Sequence, residues 1–131
     1  MNVRFVVLGV LCGVTLAVTA FGQATVTRTV LQRSDLPEAV SEGVMGIAEF
    51  PPGMALGRHS HPGVEIGYVL SGELLLSVDG KEPLKLKAGD SYTVPAGVVH
   101  DAAKAGAGVT KALASWMVEK GKPLATPAPA R

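Results

Sequence analysis

From Thr25 to Glu119 the chain alternates apolar and polar residues over short segments, each closed by proline, glycine or small polar residues. Successive side chains of a strand point to opposite faces, so this period of two predicts half-buried strands. Thr25 to Gln32 mixes β-branched and polar residues and predicts a first strand, broken by Arg33-Ser34-Asp35-Leu36-Pro37. Val44 to Phe50 predicts a second, stopped by Pro51-Pro52-Gly53. His59 to Leu70 reads as strand with a local distortion at Pro62-Gly63, since neither residue suits a central strand. Glu73 to Val78, Leu84 to Lys87 and Ser91 to Val94 follow, with Asp79-Gly80 as a hairpin signal between the first two. Ala102 to Gly108 carries a weak pattern and reads as loop, and Val109 to Glu119 as a long final strand. No stretch keeps helical periodicity, and the turns recur at the spacing of a sandwich or barrel. Gly72, after Ser71, and Gly97, after Pro95-Ala96, stand in turns where a positive φ is expected.

All three histidines fall in two short segments. The first contains His59-x-His61-x3-Glu65 and the second ends on His100. His59, His61 and Glu65 share odd parity, so on one roughly regular strand they share a face. Barrel strands bring inward positions from distant parts of the chain onto one axis, which would return His100 to the other three. Three imidazoles and a carboxylate make a suitable first shell for a divalent transition metal. Against this stands the ordinary buried histidine, hydrogen-bonded in a core, and the ease with which His-x-His arises by chance. With the histidines committed to a metal, no Ser-His-Asp arrangement is credible.

The segment Gly53-x5-His59-x-His61-x3-Glu65-x6-Gly72, followed by Gly89-x5-Pro95-x-Gly97-x2-His100, resembles the two motifs of the cupin superfamily, G(X)5HXH(X)3,4E(X)6G and G(X)5PXG(X)2H(X)3N. Every fixed position is matched except the last, where Lys104 replaces Asn, which is not a ligand position. The resemblance implies an all-β double-stranded β-helix, or jelly-roll barrel, over residues 25–120. It also implies His59, His61, Glu65 and His100 as ligands of one divalent metal: iron, manganese, nickel, cobalt, copper or zinc. A homodimer pairing through residues 25–50 is implied by the same resemblance.

Parity carried past Glu65 puts Gly67 and Val69 inward, where Gly67 would leave volume beside the metal for a ligand. Tyr68 then faces outward, as a packing or subunit-contact residue. Tyr92 and Trp116 read as core aromatics in preference to pocket ones. Met45, Met54 and Met117 read as core fillers.

Residues 1–24 have the form of a secretory signal peptide: Arg4, an apolar run from Phe5 to Ala20, then small residues. Cleavage after Ala24 is favoured over Ala20. The run is shorter than the roughly 20 residues a membrane span needs, which argues against an anchor. Leu11 before Cys12 argues against a lipoprotein. A periplasmic or secreted protein, free of the membrane after cleavage, is expected. Cleavage removes the single cysteine, so the mature chain would form no disulfide. It also removes Arg4, leaving Lys and Arg equal in number to Asp and Glu. That balance offers no basic patch for nucleic acid. Lys85 and Lys87 alternate with Leu84 and Leu86 as the wet face of a strand. Residues 121–131, rich in proline and alanine, read as a disordered tail.

Two function classes stand open. One is a metal-dependent enzyme, a dioxygenase on a small aromatic or enol-type substrate first, an isomerase or lyase after, with Glu65 as a candidate base. The other is a non-catalytic module that binds or senses a metal and a small molecule. The fold by itself does not choose between them.

Overall fold

The computed structural model describes residues 24–37 and 40–130. The expected signal peptide lies, but for Ala24, outside them. Ten strands follow in order: β1 (Thr27–Asp35), β2 (Ser41–Phe50), β3 (His59–Ser60), β4 (Gly63–Ser71), β5 (Glu73–Val78), β6 (Leu84–Lys87), β7 (Ser91–Val94), β8 (His100–Lys104), β9 (Thr110–Glu119) and β10 (Thr126–Pro127). They form two five-stranded sheets, ordered β1-β2-β9-β4-β7 and β10-β3-β8-β5-β6. All pairings are antiparallel.

Alternation builds the interior. In β2 and β9 every second residue is buried, placing Val44, Ala48 and Phe50 with Ala112, Ala114, Trp116 and Val118 on the inner side. The main core takes Val69, Tyr92 and Val94 from one sheet and Leu74, Leu76, Val78 and Ala102 from the other, so the two sheets face each other across it. This is the all-β jelly roll that the motifs imply. A smaller cluster of Val44, Ala114, Trp116 and Val118 is covered by Leu124.

The boundaries of β5, β6 and β7 coincide with the expected ones. The distortion at Pro62-Gly63 is a true interruption between β3 and β4. Gly63 is required there by proximity: a Cβ would lie 1.7 Å from the Met117 carbonyl oxygen on β9. Gly72 and Gly97 hold φ of 76° and 73°, as their turns demand.

Three expectations need correction. The first strand runs on through Arg33 to Asp35, because its ladder to β2 satisfies the backbone despite a bulge between Val30 and Gln32. Ala102 to Lys104 are strand, not loop: they pair with Leu74 to Leu76 of β5, and Ala102 faces the interior, where a small side chain fits. Alanine carries little strand propensity, so the partner strand decides. The third is the C-terminal segment, which is an ordered strap. Thr126 and Pro127 pair with Ser60 and His59. The Ala128 N–H donates to the Arg58 carbonyl at 2.8 Å, and Arg58 Nε donates to the Pro129 carbonyl at 2.8 Å. Proline suits this edge position because it still offers its carbonyl.

Candidate metal centre

β3 and β8 pair so that His59 stands opposite His100. His61 follows β3 directly, and Glu65 reaches inward from β4 in the facing sheet, between Val94 and Trp116. All four side chains are buried, the histidines at 2 to 6% and Glu65 at 5% exposure. The inward parity therefore holds through the interruption, but the single shared strand does not: β3 and β4 belong to opposite sheets. The imidazole rings lie 4.4 to 5.1 Å apart, centre to centre, and one ligand nitrogen from each falls within 4.8 Å of the others.

Backbone carbonyls fix the rings. Nδ1–H of His59 donates to the Gly57 carbonyl at 2.7 Å, that of His61 to Leu124 at 2.5 Å, and that of His100 to Val98 at 3.1 Å. A carbonyl can only accept, so each Nδ1 carries a proton and each Nε2 is turned into the site. Glu65 Oε2 lies 2.8 Å from His61 Nε2 and 3.3 Å from His100 Nε2. Both His61 Nε2 and Glu65 Oε2 are buried without a hydrogen-bond partner. Lone pairs that converge without a donor repel, and a cation among them removes the conflict. A proton or a metal ion meets that need, and the N3O donor set suits a divalent transition metal.

The charge states agree. Burial pushes His59 down to about 4, against a smaller opposing effect of the Gly57 carbonyl, so the ring is neutral and able to ligate. Burial raises the Glu65 carboxyl, but hydrogen bonds from His100 and His61 carrying a positive charge outweigh it and hold Glu65 below the usual carboxylate range, and a metal cation in their place acts in the same direction. The Tyr92 hydroxyl donates to Glu65 Oε1 at 2.9 Å. Burial, then the Glu65 charge, push that phenol above its ordinary value, so it remains a donor.

Tyr92 is thus both core residue and support for Glu65. Its ring fills the space at Gly67, where a Cβ would lie 2.0 Å from the Tyr92 Cζ. Gly67 does face inward, but the volume it leaves belongs to Tyr92, not to a ligand. Tyr68 points outward and is 45% exposed. Trp116 is a core aromatic whose ring stands 5.6 Å from that of His61.

Two contributors escape a reading of the sequence. One is the Leu124 carbonyl, because a backbone group leaves no trace in residue type. The other is Arg28 on β1, whose guanidinium lies 5.5 Å from the Trp116 ring centre with Nη2 3.5 Å from His59 Nε2. Its signal was parity: Arg28 falls two residues after Val26, which packs on the core. Arg28, His59, Glu65, Tyr92, His100 and Trp116 line one small cavity of about 10 Å³, closed otherwise by apolar side chains.

The family model described as Cupin domain matches residues 46–116, just over half of the chain. The chain is a cupin. It is 31% identical to the HTH-type transcriptional regulator PuuR of Escherichia coli K12, over 67% of this chain and 56% of the regulator, so it spans about half the length of that curated relative. A cupin superfamily protein of Desulfitobacterium hafniense shares the fold at TM-score 0.61 and 21% identity, covering 75% of this chain and 82% of that one. A recombinant oxalate oxidase in complex with glycolate superposes at TM-score 0.58 with 26% identity, over 65% of this cupin and 45% of the oxidase. The cupin has a buried cluster of three histidines able to bind a metal ion.

Proposed function

We propose that this cupin is an exported protein with a mononuclear metal centre, held by His59, His61, His100 and Glu65, that acts on a small organic molecule. The observation that carries it is the convergence of the His61 and His100 Nε2 atoms on Glu65 Oε2, with His61 Nε2 and Oε2 lacking any donor. A divalent metal in such a shell supplies a Lewis acid with positions open to water, dioxygen or substrate. The chain's own part is to orient and to exclude water. The Gly57, Leu124 and Val98 carbonyls hold the imidazoles in one tautomer, and Tyr92 holds Glu65. A carboxylate held so far below its usual range accepts a proton poorly, which favours Glu65 as ligand over Glu65 as base.

Dioxygen chemistry on a compact enol-type substrate is the activity we favour. The cavity that His59 and Arg28 line on their outer side, about 160 Å³, suits such a molecule better than a polycyclic aromatic one. The oxidase among the structural relatives supports a redox reading. The test combines elemental analysis with oxygen uptake. Wild-type protein should hold one metal per chain, and a His59→Ala/His61→Ala variant should lose it; unchanged metal content in that variant defeats the assignment. Protein loaded separately with iron, manganese, nickel or copper should consume oxygen with an enediol or diketone substrate.

A second reading is a binding or sensing module without turnover, favoured by the regulator among the curated relatives. Measurable affinity for a small molecule with no oxygen uptake under any metal would select it.

A further inference from the structure

Arg28 stands apart from the other arginines of the described fold. Arg33 pairs with Glu42, and Arg58 grips Asp79 with both terminal nitrogens, at 2.9 and 2.8 Å. Among the described residues Arg28 forms no ion pair, although it lines the same cavity as His59, Glu65 and His100. Its Nε is buried without a hydrogen-bond partner. Its Nη2 has one long contact, 3.5 Å to His59 Nε2. That acceptor is the lone pair a metal would take, so loading the centre strips the guanidinium of the contact. The face of Trp116, 5.5 Å away, orients the cation but accepts no conventional hydrogen bond.

Charge leads the same way. Three neutral imidazoles and one carboxylate leave a divalent ion with excess positive charge, and Arg28 adds to it inside a largely apolar cavity. A partly buried cation offset only by Glu65, itself committed to the metal, is costly, and an anionic ligand offsets both charges at once. The planar fork of a guanidinium matches the two oxygens of a carboxylate, and Arg28 and His59 also line an outer cavity of about 160 Å³ with room for a small one.

We propose that Arg28 is a ligand-recognition residue, and that the molecule this cupin takes is a small organic carboxylate, bound through its carboxylate to the Arg28 guanidinium beside the metal centre. The proposal rests on the metal-centre reading above, and holds for an enzyme and for a binding module alike. Arg28 positions and selects; it transfers no proton.

The test compares metal-loaded wild type, Arg28→Met and Arg28→Lys. Elemental analysis gives metal per chain, circular dichroism the fold, and isothermal titration the affinity for lactate, lactamide and inorganic phosphate. Wild type should bind lactate about tenfold or more tightly than lactamide, as a charge-assisted hydrogen bond requires. Arg28→Met should keep its metal and lose that preference, and Arg28→Lys, which keeps the charge without the fork, should fall between. If Arg28→Met does not fold, the Arg28→Lys comparison decides alone. Equal lactate affinity in wild type and variants, equal binding of lactate and lactamide, tighter binding of phosphate, or no lactate binding by metal-loaded wild type each overturns the proposal. Wild-type protein that takes up no metal overturns the metal reading and this proposal together. Metal retained without Arg28-dependent binding overturns this proposal alone.

Discussion

At the scale of single residues, the centre depends on groups that never touch the metal position. Tyr92 donates to Glu65 Oε1 and leaves Oε2 turned to the imidazoles. Tyr92→Phe keeps the ring that fills the space above Gly67 but removes the donor. We expect the fold to hold and metal affinity to fall by roughly tenfold or more, the usual cost of losing an outer-shell partner. Competition with a chromophoric chelator measures this. Gly67→Ala makes the converse change, forcing a methyl against the Tyr92 ring. Overpacking of this kind costs about 1–3 kcal/mol. Denaturant unfolding should show the loss, and a Tyr92→Ala/Gly67→Ala double variant should lose less than the sum of the two single changes, because the two sites share one volume.

At the scale of elements, the strap formed by the C-terminal segment closes the sheet that carries His59 and His100. It pairs with β3 and covers the smaller core cluster with Leu124. Its Leu124 carbonyl fixes the His61 ring. Removal of residues 123–131 should therefore lower both the thermal midpoint and metal retention. The check is elemental analysis after dialysis against a weak chelator, alongside a melting curve. Full metal retention by the truncated chain would show that the strap covers the site without organising it. The short β3 explains the dependence: two residues carry little ladder of their own, so β8 and β10 hold it from both sides.

At the scale of the whole molecule, β1 ends one sheet with a free edge and an outer surface that exposes Val30 and Leu31. Free edges invite pairing, and closing one against a second copy protects it. A homodimer through residues 25–50 is expected, and light scattering at micromolar concentration should give twice the chain mass; a monomer mass would contradict it. Arg28 lies on the same strand, so a Val30→Lys/Leu31→Lys variant that becomes monomeric should also bind metal-site ligands more weakly. Export is the remaining expectation at this scale. N-terminal sequencing of protein from the cell envelope should start at or near Thr25, and an intact Met1 on a cytoplasmic protein would contradict it.

Residue pattern by itself determined the strands with strong alternation, β5, β6 and β7, and the inward direction of His59, His61 and Glu65, though not that Glu65 stands on the sheet facing the histidines. Those follow from local rules, since the two-residue period is fixed by the backbone and survives even the break at Pro62. The cupin motifs added His100, whose return depends on contacts far along the chain. Only the tertiary structure decided the rest. Ala102 to Lys104 become strand because β5 supplies the ladder, and a proline-rich tail becomes ordered because β3 offers an edge. Gly67 serves Tyr92 because two strands place them opposite each other. Arg28 reaches the cavity because β1 pairs with β2 at the end of its sheet in a register that turns that residue toward it. Each of these depends on which distant backbone stands alongside, and that neighbour is absent from the local pattern of apolar and polar residues.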